Sequence, residues 1–160
     1  MDLKTGIGYD IHPLAEGCKL YLGGIEIPYI RGLRAHSDGD VLLHAISDAL
    51  LGAASLGDLG DYFPDTDPQY HNIASCALLK RVNDLLKSNG FTIQNIDAIV
   101  IAEEPRLTPF KKQMQQVIAQ ILNIRPDCVN VKAKTSSGVG ETGKKEAIAS
   151  FAVATLTKGA

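Results

Sequence analysis

Asp10 and His12 stand two apart in the run TGIGYDIHP, and His44 lies in HSDGDVLLHAISDALLG. An aspartate and a histidine at that spacing on a strand point the same way and can share one ion. A third ligand has to come from elsewhere, and His44 is the best candidate. Two imidazoles and one carboxylate suit Zn²⁺, or Mn²⁺ and similar ions, in a site that keeps a coordination position open for water or substrate. An open position means catalysis. The plainer reading is a satisfied strand-end carboxylate at Asp10, a loop histidine before Pro13 and a solvated helix histidine at 44. Residue types alone leave both readings standing.

Three further groups could take part. His36 and Ser37 precede a helix start, where free backbone N–H groups and the helix dipole favour an anion such as phosphate. A simple cap is compatible with that use. The segment GDLGDYFPDTDP carries Asp58, Asp61, Asp65 and Asp67, which could accept hydrogen bonds from a polyol, hold cations or form a solvated loop. Gly57 and Gly60 in it allow a close backbone approach to a ligand. Last, Lys132 to Lys144, KAKTSSGVGETGK, combines hydroxyls, glycines and lysines, the parts of a phosphate cradle. It does not follow the order GxxxxGK(S/T) of the nucleotide-binding P-loop.

These groups need elements to hold them. In residues 5–13, Ile7, Tyr9 and Ile11 alternate with Gly8, Asp10 and His12. That predicts a strand with Asp10 and His12 pointing away from its apolar side. Lys19–Leu22 and Ile25–Tyr29 flank Gly23-Gly24, a hairpin signature, and 30–35 reads as a connector. Ser37 is the predicted N-cap of a helix over 38–54, with Asp40 in the capping-box position. Val41, Leu42, Ala45, Ile46, Ala49, Leu50 and Ala53 form its buried face, and Asp40, His44 and Asp48 its polar one. A flexible loop over 52–60 and an irregular segment over 62–68 follow. Further elements are a helix over 72–87 ending at Asn89-Gly90, a strand over 91–103 and a helix from Pro109 to Leu122. Cys128–Lys134 predicts a strand, 135–144 a glycine-containing loop, and 147–157 a closing strand. The sum is an α+β two-layer sandwich: a mixed sheet of about four main strands plus a hairpin, with three helices on one face.

Composition narrows the class. The chain's 160 residues suit one domain, 1–160, large enough for a real core. With 45% hydrophobic and 21% charged residues it matches a soluble globular protein. A net charge of -2 argues against nucleic-acid binding, and 6% aromatics without Trp against a stacking platform for RNA. No apolar run reaches the ~18 residues of a membrane span, and MDLKTGIGYD has no signal-peptide character. Cys18, Cys76 and Cys128 are isolated and read as reduced thiols in a cytoplasmic protein.

DIHP at 10–13, AHSDGDVLLHAISDALLGAASLGD at 35–58 and YFPDTDP at 62–68 resemble the 2-C-methyl-D-erythritol 2,4-cyclodiphosphate synthase family of the non-mevalonate isoprenoid pathway. The similarity covers nearly the whole chain and is densest in the first 70 residues. The resemblance implies a homotrimer with active sites at subunit boundaries. It implies conversion of 4-diphosphocytidyl-2-C-methyl-D-erythritol 2-phosphate to the cyclic diphosphate and CMP, by attack of the 2-phosphate on the β-phosphorus. It makes Asp10, His12 and His44 the ligands of a divalent metal, usually zinc. His36 and Ser37 become phosphate contacts, with His36 and Thr135 stabilising the transition state. Asp58, Leu59, Gly60, Phe63, Pro64, Asp65, Thr66 and Asp67 surround the methylerythritol, and Ile11 joins the substrate-binding residues. Ala102, Glu103, Glu104, Pro105, Arg106, Leu107 and Thr108 become the cytosine pocket. Ala133, Lys134, Thr135, Ser136 and Ser137 line the CDP phosphates from a neighbouring subunit. A second ion, Mg²⁺ or Mn²⁺, sits between those phosphates. Ser137 stands where the family has a glutamate for that ion. Glu141 and Lys144 stand where it often has Phe and Arg near the trimer axis, which changes any isoprenoid diphosphate site there. Without the resemblance, a metal-dependent phosphohydrolase or a non-catalytic nucleotide-binding module would fit the same Asp/His/His site.

Overall fold

The computed structural model describes residues 2–159. Its sheet is built on the two longest strands, β1 (Asp2–Glu16) and β7 (Ala147–Lys158), which pair antiparallel from Asp2↔Lys158 to Pro13↔Ala147. Beyond β7 come β5 (Phe91–Ile101), antiparallel to it, and β6 (Val129–Lys134), parallel to β5. A short strand β4 (Arg31–Leu33) closes the other edge, giving the order β4-β1-β7-β5-β6. The hairpin β2 (Leu20–Leu22) and β3 (Ile25–Ile27) stands apart as its own two-stranded sheet. The α+β class with a mixed sheet is as expected. The predicted connector over 30–35 holds β4, because Gly32 lies too close to the Cys18–Lys19 backbone for any side chain and lets the chain pair with β1.

Helix α1 (Val41–Ala53) lies across β1 and β7, and α3 (Ser75–Ser88) and α4 (Lys111–Leu122) complete its layer. The floor beneath α1 is made of small residues: Gly6 and Gly8 pair with Ala154 and Ala152. A Cβ on Gly8 would lie 1.8 Å from the Ala45 carbonyl oxygen, and one on Gly6 2.2 Å from that of Ala49. Glycine is therefore what lets helix and strand meet backbone to backbone. All seven expected core residues of α1 are buried, and Leu43, Ser47 and Leu51 join them, so the helix is enclosed on most sides.

Asp10 and His12 point away from the apolar side of β1, as expected, and it is their side that packs. Gly6, Gly8, Asp10 and His12 face α1, whereas Ile7 is 70% exposed, Tyr9 48% and Ile11 37%. Phe151 and Val153 on β7 are exposed beside them, each in register with Tyr9 and Ile7. The apolar side of β1 thus belongs to the open face of the sheet.

The start of α1 also differs from expectation. Asp40, fully buried, is the N-cap in place of Ser37. Its carboxylate accepts Leu43 N–H at 3.0 Å, Gly23 N–H at 3.0 Å and Gly24 N–H at 2.8 Å, tying the hairpin turn to the helix. Burial pushes the Asp40 pKa up against these three donors. A cap shared with a distant turn is a tertiary feature, so the helix begins three residues later than local pattern suggests.

Smaller shifts follow. The 52–60 loop contains the start of α2 (Leu59–Tyr62), capped reciprocally by Asp58 and Asp61. Helix α3 begins at Ser75, since Asn72 takes a left-handed conformation. Pro109 lies in a 3-10 turn, Thr108–Phe110, that leads into α4. Cys128 ends another such turn before β6. The loop after β6 includes α5 (Gly140–Gly143). The predicted closing strand over 147–157 is β7. Among the described residues, no helix is long and apolar enough to cross a membrane.

Candidate metal centre and cleft

The close approach of α1 to β1 ends where β1 passes the first turns of the helix. Gly6 meets Ala49 and Ala53, and Gly8 meets Ala45 and Ala49. Two residues further along the strand, Asp10 meets the first helical turn, and His44 faces it there. His12, again two residues on, shares its side of the strand. The period of two on the strand and the antiparallel helix above it therefore deliver three side chains that could ligate a metal to one point.

His44 Nδ1 lies 2.9 Å from Asp10 Oδ2, and His12 Nε2 lies 3.0 Å from the same oxygen. One ligand atom from each residue falls within 4.8 Å of the others. Burial would raise the Asp10 pKa, but hydrogen bonds and charge from His12 and His44 more than reverse it and hold the carboxyl far below its ordinary range. Burial would lower the His44 pKa, and Asp10 reverses that too, so it is raised. Two ring nitrogens converging on one carboxylate oxygen fit a divalent cation by donor type and spacing. The second nitrogen of His44 is also engaged: Nε2 lies 2.9 Å from Ser75 Oγ and 3.2 Å from Ser37 Oγ.

The triad sits in a cleft of about 450 Å³. His36, Ser37, Leu59, Gly60, Phe63, Pro64, Asp65 and Thr66 line it together with Asp10, His12 and His44. His36 Nε2 is buried with no hydrogen-bond partner among the described residues, and its ring stands 4.9 Å from that of His71. Behind His36 and Ser37, however, there is no free helix start, because α1 opens at Val41 under the Asp40 cap. An anion here would meet side chains of His36 and Ser37 in place of helix N–H groups.

In the first 70 residues, three expected site residues fall outside the cleft. Ile11 points to the open face. Asp58 is occupied in capping α2, and Asp67 caps the 3-10 turn Pro68–Tyr70, accepting from Gln69 N–H at 3.0 Å. Local capping explains part of the acidic density in this segment. Asp48, Ala35, Tyr70, Ile73 and Leu78 line the cleft without having been singled out as site residues. Asp48 was signalled by its place one turn after His44. Burial raises its pKa, the charges of Asp58 and Asp10 add to that, and Leu59 N–H, donating at 2.8 Å, opposes it. The other four carried no signal in sequence.

The remaining expected residues form a second corner. Ala102 N–H donates to Lys134 O at 2.9 Å, and Ser136 N–H to Glu103 Oε2 at 3.2 Å, joining the ends of β5 and β6. Lys145 Nζ binds Glu104 Oε1 at 2.7 Å, and Tyr29 Oη donates to Glu104 Oε2 at 3.3 Å. Ser136 and Thr142 hydroxyls meet at 2.6 Å, which brings α5, with Glu141, beside this loop. The corner lies at the same end of the sheet as His12, since Pro13, Ala147, Ile101 and Lys134 end neighbouring strands. Yet β7 and β5 stand between β1 and β6, roughly 14 Å at the usual strand spacing. Residues 102–108, 133–137, 141 and 144 lie outside the cleft of their own chain.

A sequence profile of the YgbB family matches residues 3–157. A 2-C-methyl-D-erythritol 2,4-cyclodiphosphate synthase from Agathobacter rectalis is 54% identical over 155 residues, covering 97% of this chain and 88% of that protein. A structure of the bifunctional IspDF from Campylobacter jejuni superposes with a TM-score of 0.95 at 43% identity. The match covers 99% of this chain, which spans 43% of that protein. A CDP complex of IspF from Plasmodium falciparum gives a TM-score of 0.86 at 34% identity, covering 99% and 97% of the two chains.

Proposed function

The chain belongs to the YgbB family, and on that premise we propose how its residues carry the family's chemistry. It is an enzyme that forms 2-C-methyl-D-erythritol 2,4-cyclodiphosphate in isoprenoid biosynthesis. The observation that carries this reading to particular residues is the convergence of Asp10, His12 and His44 at the head of the cleft.

In the proposed reaction, a 2-phosphate oxygen of 4-diphosphocytidyl-2-C-methyl-D-erythritol 2-phosphate attacks the β-phosphorus. The bond from that phosphorus to the bridging oxygen breaks, and its electron pair leaves on CMP. No water is consumed and no protein nucleophile is required, so catalysis rests on positioning and charge neutralisation. Asp10, His12 and His44 would hold a divalent cation, zinc in this proposal. A cation bound there supplies Lewis-acid polarisation of a phosphoryl oxygen. His36 would donate its unpartnered Nε2 to a phosphate oxygen, and Ser37 would bind beside it. Leu59, Gly60, Phe63, Pro64, Asp65 and Thr66 would enclose the methylerythritol. The charged Asp10, already ionised by its histidines, needs no proton to leave before it binds a cation.

The nucleotide half is assigned to the second corner of a neighbouring copy. Residues 102–108 would take the cytosine, and 133–137 the phosphates, with Thr135 on the reacting phosphoryl group. A second divalent ion, Mg²⁺ or Mn²⁺, would supply further charge neutralisation at the nucleotide phosphates, and Ser137 would offer it no carboxylate. A homotrimer in the cytoplasm is part of this reading, and the chain from 1 to 160 is its single catalytic domain. Its support is the open face: Ile7, Tyr9, Ile11, Phe151 and Val153 form an exposed apolar patch, with Leu3 exposed further along the same side of β1. A sheet face without a covering layer, bearing large apolar residues, marks a protein contact. The relative from Plasmodium falciparum whose complex contains CDP supports the nucleotide assignment.

The test is to incubate pure protein with the substrate and Mg²⁺ while following ³¹P signals, and to measure its mass in solution. A cyclic diphosphate with CMP, from a species three times the chain mass, is expected. Linear phosphate products would mean a hydrolase, and a fully active single chain would overturn the shared site.

A further inference from the structure

Asp38 and Ser75 have no part in the reading above, yet they are built against the metal centre from 37 residues apart. Ser75 opens α3 and is fully buried. Its backbone N–H donates to Asp38 Oδ2 at 2.9 Å, and its hydroxyl makes a short hydrogen bond to Asp38 Oδ1. Asp38 is held in turn by Asp40 N–H at 3.2 Å from Oδ1. The carboxylate replaces the side-chain cap that Ala74 is unable to give α3.

Proton counting decides what this does to His44. A serine hydroxyl has one proton, and a carboxylate only accepts. The Ser75 proton therefore goes to Asp38, and Ser75 Oγ is left as an acceptor toward His44 Nε2 at 2.9 Å. Ser37 Oγ, which accepts Gly39 N–H at 3.2 Å, stands 3.2 Å from the same nitrogen and can accept there as well. To satisfy Ser75 Oγ, His44 Nε2 carries a hydrogen. Its Nδ1 is then the ring atom available to a cation, and Nδ1 is the one beside Asp10 Oδ2 at 2.9 Å.

We propose that Asp38 and Ser75 are positioning residues that fix His44 as its Nε2–H tautomer, so that the Nδ1 lone pair is aimed at the metal. The proposal rests on the reading that Asp10, His12 and His44 bind a divalent cation. Outer partners of this kind orient a ligating imidazole and raise its basicity, and their loss costs about ten- to a hundredfold in metal affinity. Asp38–Ser75 does for His44 what a carbonyl or carboxylate does elsewhere, with the hydroxyl as an intermediate that also locks α3 to the centre.

Zinc affinity by chelator competition and ¹⁵N–¹H spectra of the histidine rings test it on the full chain. In the zinc-loaded wild type, His44 should show a proton on Nε2 and none on Nδ1. Ser75→Ala should lower zinc affinity about ten- to a hundredfold and lose the slowly exchanging Nε2–H signal of His44 in the zinc-loaded protein, with circular dichroism unchanged. Asp38→Ala, which removes the acceptor that directs the Ser75 proton, should show the same spectral loss. A proton on His44 Nδ1 in the loaded wild type, or zinc affinity within about twofold of wild type in both variants, would overturn it. Turnover is measured separately. A wild type with the Nε2–H signature and tight zinc but no cyclic product would sink the synthase mechanism and leave this inference intact.

Discussion

The two faces of the β1–β7 pair are made from opposite materials. Inward stand Gly6, Gly8, Ala152 and Ala154, and then Asp10 and His12. Outward stand Ile7, Tyr9, Ile11, Phe151 and Val153, with the Tyr9 and Phe151 rings 4.7 Å apart. The inner face carries little apolar bulk and is nevertheless the one that packs, because small residues let α1 descend onto the strands. The outer face has the bulk of a core and no partner within its own chain. Alternation along a strand thus reports that two environments exist, but not which of them is the interior. Here the polar and glycine face is the scaffold of the site, and the apolar face is the surface on which copies are proposed to meet.

Four interventions would break or sharpen that contrast. The largest effect is expected from Gly8→Ala, whose methyl would lie 1.8 Å from the Ala45 carbonyl oxygen. It should cost about 3 kcal/mol or more in denaturant unfolding, whereas Ile7→Ala on the opposite face should leave secondary structure intact. Next comes Phe151→Glu, aimed at the outer face alone. It should preserve the circular dichroism spectrum while sedimentation shows single chains and turnover is lost. A mass unchanged from wild type would remove the assembly role of this face.

The third concerns the inner face and pH in metal-free protein. Asp10 titrates below its ordinary 3.8, so its contribution is present above that value and fades as pH falls. His44 titrates above its ordinary 6.5, so its contribution is full below that value and fades as pH rises through the raised one. Thermal unfolding should therefore show greatest metal-free stability between these limits, by on the order of 2 kcal/mol. Zinc bound through His44 as proposed would displace its proton, so the stabilisation added by zinc should grow with pH over the range where the metal-free protein weakens. The smallest effect belongs to Lys132→Ala. Its partner Asp97 is held below its ordinary range by that lysine, but their side chains are 39% and 41% exposed, and the loss should stay under about 1 kcal/mol in denaturant unfolding above pH 5.

Much of the molecule was legible in sequence because its signals are local. The Gly23-Gly24 hairpin, the seven core positions of α1, the Asn89-Gly90 stop and the final strand all follow from spacing and turn chemistry. Asp10, His12 and His44 were legible for a related reason, since a period of two on one element needs only one further ligand. What escaped depends on residues far apart. The true cap Asp40 takes amides from a turn 16 and 17 residues upstream. Ser75 answers Asp38 across 37 residues, and Tyr70, Ile73 and Leu78 reach the cleft only because α3 packs on α1. Which face of β1 packs was not legible because the residues that decide it, Ala45 and Ala49, belong to another element.

The register of β1 against β7 has a bearing on how the chain folds. Asp2 lies opposite Lys158, so the central pair of the sheet joins the first strand to the last. Almost the whole chain must be looped out before that pair can close, and closure over such a separation is slow. A circular permutant, with a short tether from Lys158 to Asp2 and new ends at the exposed Asn89-Gly90 turn, would keep every strand neighbour. It would turn the most remote pairing in the molecule into a hairpin, with faster refolding to the same structure.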